Sequence, residues 1–246
     1  MALPLLTLLM PSDSLTVILQ KHPEQFHPVV PFDPGKEHCL LLDFTAANKE
    51  LNEDILADTS LFITYINSKI AASGARYGIG GYGEHRTVYS MSRVFDAADP
   101  GQEPRRLHLG TDIWGKPHTA VMAPLEGLVH SFAFNNRFGD YGATIILTHQ
   151  LEGVTFYTLY GHLSLNAIRN LREGRRIERG EVFAEFGIPA ENGGWPPHLH
   201  FQIILDPGDW KGDYPGVCRY AEKEAWLENS PDPDLLLQMN RYIMAP

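Results

Sequence analysis

The chain has 246 residues, 43% of them hydrophobic and 20% charged, with a formal net charge of −10. That length and composition fill the core of one large all-β domain, or of a smaller domain carrying added segments. The acidic balance argues against nucleic acid and against anionic membranes as partners, because both reward a basic patch.

Residues 1–10, MALPLLTLLM, are apolar but lack a basic leading region and a small-residue cleavage site, and are expected to pack as an N-terminal segment, with a poor signal sequence as the alternative. No run reaches the ~18 apolar residues of a membrane span. Cys39 and Cys218 lie far apart and are too few for a disulfide framework, so a reduced, cytoplasmic setting is the expectation. Ser12 or Ser14 is placed to cap a short helix through Leu15 to Lys21. Residues 39–44, CLLLDF, read as a buried strand. Thr45 or Asn48 is placed to cap a helical segment over 51–58, and a second runs over 59–74 and ends at Gly74.

From Tyr77 the texture changes to glycine-rich sequence and short strands broken by turn residues. Strands are expected at Thr87–Ser92, Arg106–Leu109, Thr119–Ala123, Gly127–Phe134, Gly142–His149, Val154–Tyr160, Val182–Phe186 and His198–Leu205. Their regular spacing predicts a mainly β fold, an antiparallel sandwich or barrel, behind an α-containing N-terminal extension. Residues 164–174, SLNAIRNLREG, read as a helix inside it. The expected division is an extension over 1–77, a β domain over 78–206 and a tail over 207–246 packed on the core.

Three stretches in the β region carry chemistry: RRLHLGTDIWG (105–115), FYTLYGHLS (156–164) and PPHLHFQ (196–202). His198 and His200 are two apart on a strand and leave the same face. His108 and Asp112 are separated by Leu-Gly-Thr, and a bend at Gly110 brings such a pair together. Two imidazoles and a carboxylate make a three-ligand set for Zn²⁺, with the fourth position left for water. Singly, each feature is ordinary: His-x-His arises by chance among eleven histidines, and Gly-Thr-Asp is a common turn.

Together, and in this order, they resemble the lysostaphin-type (LytM-like) zinc peptidases. GGYGEHR (80–86) is similar to the strand that opens that domain, APLEGLV (123–129) to its following turn, and EGRRIERGEVFAEFG (173–187) to a later glycine-bearing step. The resemblance covers about residues 78–206 and implies the duplicated hybrid motif fold. It also implies one zinc ion held by His108, Asp112 and His200, with His162 and His198 as catalytic histidines beside it. The implied chemistry is hydrolysis of a peptide or amide bond, in which the ion brings the pKa of water toward ~7 and polarises the carbonyl. Either of His162 and His198 can serve as base or as oxyanion donor.

By position, Arg86 and Trp195 are candidate substrate contacts, with a salt bridge and simple turn packing as their alternatives. Glu84, His85 or an N-terminal acid is a candidate fourth ligand that would keep the metal latent. His118, His130 and His149 are expected to be structural or at the surface. Family members commonly act on cell-wall peptides, so the partner is expected to be a peptide or amide, peptidoglycan-derived ones included. The insertion over 90–105 and the terminal additions depart from the family pattern. The chain also resembles a subgroup fused to kinase-like and aminotransferase-like domains in intracellular proteins. The reading from a different class is a non-catalytic module of the same fold that binds or regulates a partner. A biotinyl-type carrier is set aside, since no lysine lies between Lys116 and Lys211.

Overall fold

The computed structural model describes residues 11–96 and 101–244; the apolar stretch 1–10 lies outside them. Helix α1 (Pro11–Lys21) leads to strand β1 (Cys39–Leu42), then to α2 (Glu53–Ala57) and α3 (Thr59–Ser73). Ser12 and Ser14 thus lie within α1 rather than capping it. Asn52 accepts from Ile55 N to start α2, and Asp58 accepts from Ser60 N and Leu61 N to start α3. These caps replace the expected Thr45 and Asn48, whose side chains serve the turn before α2 instead: Thr45 Oγ1 accepts from Ala47 N and Asn48 Oδ1 from Glu50 N. Gly74 closes α3 at a left-handed φ of 69°, a conformation that favours glycine.

The β region comprises β2 (Tyr77–Gly80), β3 (Leu107–His108), β4 (Thr111–Trp114), β5 (Ala120–Met122), β6 (Gly127–Asn135), β7 (Gly142–Leu151), β8 (Val154–Leu163), β9 (Arg176–Ile177), β10 (Val182–Glu185), β11 (His198–Ile204) and β12 (Val217–Cys218). The tail closes with α4 (Lys223–Asn229) and α5 (Asp234–Leu237). Eight strands form one sheet in the order β1-β2-β4-β11-β8-β7-β6-β9, and β10-β5 and β12-β3 form two ribbons. The fold is mainly β, as expected. Every pair is antiparallel except β1 with β2, which run parallel, so the N-terminal extension adds a strand to the main sheet.

The central strands are buried on both faces. Along β11, Leu199, Phe201 and Ile203 enter the main core, which also holds Leu15 and Leu19 of α1 and Leu236 and Leu237 of α5. The alternate residues His198, His200 and Gln202 turn to the other face and are equally buried. On that face a second apolar cluster gathers Phe44, Phe62 and Ile66 of the extension against Trp114 and Trp195. Burying both sides removes the usual hydrophobic–polar alternation, and the polar residues on the second face are there for another reason.

Two expected elements are different. Thr87–Ser92 is a 3₁₀ turn over Val88–Met91, wound by i→i+3 hydrogen bonds from Ser90 N to Thr87 O and from Ser92 N to Tyr89 O. Residues 164–174 make one 3₁₀ turn, Leu165–Ala167, followed by i→i+3 hydrogen bonds from Ile168 to Leu165 and from Leu171 to Ile168. The apolar spacing Leu165, Ile168, Leu171 is a three-residue repeat, the period of that tighter helix.

Candidate metal centre

Strands β4, β11 and β8 are neighbours, and their register sets His200 opposite Asp112 on one side and opposite Gly161 on the other. His108 arrives from β3, which leaves the main sheet and pairs instead with β12, His108 facing Val217. The tail therefore helps to place this ligand. Gly110 makes the bend: a Cβ there would lie 2.5 Å from His200 Cε1 and 2.8 Å from Phe201 O.

The three predicted ligands converge. His108 Nε2 is 3.0 Å from His200 Nδ1 and 3.3 Å from Asp112 Oδ1, and His200 Nδ1 is 3.1 Å from the same oxygen. Donor atoms on tetrahedral zinc with bonds of about 2.0–2.1 Å are about 3.3 Å apart, so the set fits that ion. Among the described residues this is the one histidine, cysteine and carboxylate group so arranged.

Proton positions agree with the fit. His108 Nδ1 lies 3.1 Å from Gly81 O, and His200 Nε2 lies 3.0 Å from Gln202 Oε1. Both oxygens only accept, so these ring nitrogens hold the protons and the opposite nitrogens keep their lone pairs. The Gln202 amide is oriented by its own donation to Pro215 O and Ser230 Oγ. Three lone pairs thus face one point, which suits a cation.

Of the two readings of Arg86, substrate contact or internal salt bridge, the structure shows the salt bridge, behind Asp112. It is 1% exposed, with Nη1 donating to Asp112 Oδ2 at 2.5 Å and to Tyr89 OH, and Nε donating to Glu84 Oε2 at 2.7 Å. Burial works to raise the Asp112 pKa, but His108 and Arg86 outweigh it and hold the carboxyl well below its ordinary value. Glu84 is used up on Arg86 and on Phe44 N, and His85 faces the Tyr220 ring. Neither stands at the triad as a fourth ligand.

His162 and His198 stand side by side, with ring centroids 4.0 Å apart. His198 Nδ1 donates to Pro196 O at 2.7 Å and its Nε2 is 4.0 Å from Asp112 Oδ1; Trp114 stacks on its ring at 3.8 Å. His162 Nδ1 donates to Asn192 O at 2.8 Å. Both rings are therefore fixed with Nε2 as the acceptor. His162 occupies the left-handed region at φ 62°, just after Gly161, where a Cβ would strike the Tyr141 ring at 2.5 Å. Backbone strain at this residue turns its side chain toward His198.

Burial pushes His198 and His108 down to about 4 and His162 well below its ordinary value, so all three are neutral at pH 7. His149, away from the site, is likewise held at about 4 by burial. Its Nδ1 donates to Glu126 O, and its Nε2 accepts from Thr158 Oγ1 at 2.7 Å. An unfolded histidine takes a proton near pH 6.5 and these do not until about 4, so acid favours the unfolded chain. Their stabilisation is complete above about 6.5 and is lost on descent toward 4, at up to about 1.4 kcal/mol per pH unit for each. Denaturant unfolding of metal-free protein at pH 7, 6 and 5 should show that decline; a flat profile contradicts it.

His118 is exposed beside Glu185, and His130 is half-buried against Ser131, both apart from the centre. A cavity of about 360 Å³ lies over the centre, lined by Asp112, His162, His198 and His200 together with Trp195 and Tyr141. Sequence reasoning missed Gln202, Asn192 and Tyr141, whose OH is 3.3 Å from His200 Nε2. Gln202 was within reach of the same alternation that paired His198 with His200. Asn192 and Tyr141 lie in glycine-rich loops with no periodic signal.

Residues 106–210 match the model of peptidase family M23. The L-Ala–D-Glu endopeptidase of Bacillus subtilis (strain 168) is 31% identical over 162 residues, covering 60% of this chain and 47% of that protein. The chain thus spans about half the length of the curated relative it matches. Among solved structures, the catalytic domain of lysostaphin from Staphylococcus simulans aligns at 21% identity and a TM-score of 0.38, over 67% of this chain and 96% of that one. A zinc-containing peptidase from Vibrio cholerae aligns at 24% and 0.34, over 45% and 31%.

Proposed function

We propose, from the match of residues 106–210 to the model of peptidase family M23, that the chain is a lysostaphin-type (LytM-like) peptidase, a zinc-dependent hydrolase cutting a peptide bond. The observation that carries the metal is the convergence of three lone pairs, on His108, Asp112 and His200, at separations of 3.0–3.3 Å. Zinc, when bound there, supplies Lewis acidity toward a carbonyl and toward water.

The chain's own residues supply the remainder. His198 and His162 are neutral, each with an unprotonated Nε2, and one of them accepts the proton of the attacking water. As the water oxygen adds to the carbonyl carbon and the C–N bond breaks, that proton passes to the departing amine. The imidazolium formed when that histidine takes the proton steadies the oxyanion until the proton is passed on. Asn192 O and Pro196 O keep each ring in the required tautomer, and Arg86 keeps Asp112 ionised in a buried place.

A carboxylate-bearing peptide is the substrate class this reading favours. Beside the internally paired Arg86 and Asp112, the cavity is lined by Arg93, Arg105 and Arg137 against Asp140 and Asp213, in a chain whose net charge is −10. The bond named for the Bacillus relative, L-Ala–D-Glu, is therefore the first to test. A cytoplasmic location is proposed on the acidic balance and the two buried, unpaired cysteines. Purified protein should carry one zinc per chain and cleave L-Ala–D-Glu peptides, losing cleavage on chelation and regaining it with zinc. Protein that neither binds zinc nor cleaves after zinc addition would rule the reading out.

A further inference from the structure

Among the described residues, three buried side-chain nitrogens have no acceptor: Arg86 Nη2, Trp114 Nε1 and Trp195 Nε1. All three residues line the cavity over the metal centre. A buried donor left unpaired costs about 1–3 kcal/mol, and folded chains keep few of them. An occupant of the cavity that brings acceptor oxygens would pair such a donor.

The three are not equivalent. Arg86 Nη2 and Trp114 Nε1 stand against the backbone of β2, where a Cβ on Gly80 would lie 2.5 and 3.3 Å from them. Trp195 belongs to the cavity wall beside the two catalytic candidates. Its ring is edge-on to His162 at 6.2 Å and to His198 at 6.3 Å, and it is 4% exposed. Tyr89 and Phe95, which line the same cavity, pack on the indole with ring centroids at 6.2 and 6.4 Å.

The loop before Trp195 is built to hold it in one pose. Gly193 and Gly194 take φ of 85° and 86°, and a Cβ on Gly193 would lie 1.8 Å from Asp140 O. Asn192 then clamps the tryptophan backbone: Trp195 N donates to Asn192 Oδ1, and Asn192 Nδ2 donates to Trp195 O, both at 3.0 Å. The same Asn192 orients His162 through its carbonyl. Indole and imidazole are thus registered to each other by one buried residue.

Building on the hydrolase reading above, we infer that the Trp195 indole N–H donates a hydrogen bond to a backbone oxygen of the peptide substrate beside the bond to be cut. Trp195 is then a substrate-binding residue that sets how the peptide lies across His162 and His198. It takes no proton and forms no covalent bond.

The chain has four tryptophans, so ¹⁵N-indole labelling gives four signals, and Trp195→Phe identifies one by its loss. The probe is L-Ala–D-Glu dipeptide, added to zinc-loaded protein carrying His198→Ala to prevent turnover. The Trp195 signal should shift saturably. In otherwise native enzyme, Trp195→Phe keeps the ring and should lower kcat/KM about tenfold, mainly through KM, with zinc content unchanged. A Trp195 signal that stays still while another indole signal saturates overturns the inference, as does an unchanged KM; cleavage by native enzyme then leaves the hydrolase reading standing. Absence of cleavage by zinc-loaded native enzyme removes the hydrolase reading, and the indole shift still decides whether Trp195 binds the peptide.

Discussion

Asp112→Ala is expected to lower zinc affinity by about 100-fold or more and to destabilise the metal-free protein by about 3–5 kcal/mol. The two losses have separate causes. Zinc affinity is expected to fall because Oδ1, 3.1–3.3 Å from the two histidine nitrogens, is one of the three converging donor atoms of the proposed site. Stability falls because Oδ2 neutralises Arg86, whose guanidinium is 1% exposed and has only Glu84 as its remaining carboxylate. Removing one partner of a buried ion pair leaves the other charge without compensation. Metal analysis and denaturant unfolding in chelator measure the two effects independently. Arg86→Met in the Asp112→Ala background should recover part of the stability without recovering zinc. If Asp112→Ala unfolds like the native chain in chelator, Arg86 is not held in the way described.

His198→Ala and His162→Ala are each expected to reduce kcat by about 10²–10⁴-fold while leaving zinc stoichiometry at one. Neither is among the three converging ligand atoms, so metal retention distinguishes a lost proton carrier from a lost metal site. The double variant should fall little below the worse single one, since two groups that act as a unit are not additive. His162 permits a further separation. Its φ of 62° strains any side chain, so His162→Gly should be more stable than His162→Ala by about 1 kcal/mol and equally inactive. Thermal unfolding alongside a cleavage assay reads both. Substantial activity in either alanine variant would remove that histidine from the chemistry.

How far these residues could be read in advance depended on whether their geometry is local. The β11 pair was legible because a strand sends i and i+2 to one face, and Gly110 between His108 and Asp112 marked a bend. The role of Arg86 was not legible, because whether a guanidinium meets substrate or Asp112 depends on a contact 26 residues away. Asn192 escaped for a similar reason: its work is done through backbone atoms of a loop, which no side-chain pattern advertises. The segment 164–174 is not an α-helix because its apolar residues Leu165, Ile168 and Leu171 repeat every three positions, the 3₁₀ period. The strand expected over 87–92 failed because i→i+3 backbone bonds wind the segment into a 3₁₀ turn, which its side-chain pattern does not report.

The parallel pairing of β1 with β2 bears on where this protein can be cut. Family matching begins at residue 106, yet β2, next to the strand that carries Asp112, leans on β1 at Cys39–Leu42. Severing the chain before Tyr77 would leave the β2 backbone as an unpaired sheet edge, an invitation to association, and would strip Phe44 and Phe62 from the indole of Trp114. The family-matched portion is therefore not a transplantable cassette. Its unit of cooperativity is wider than its unit of descent, and any truncated version must carry the strand borrowed from upstream.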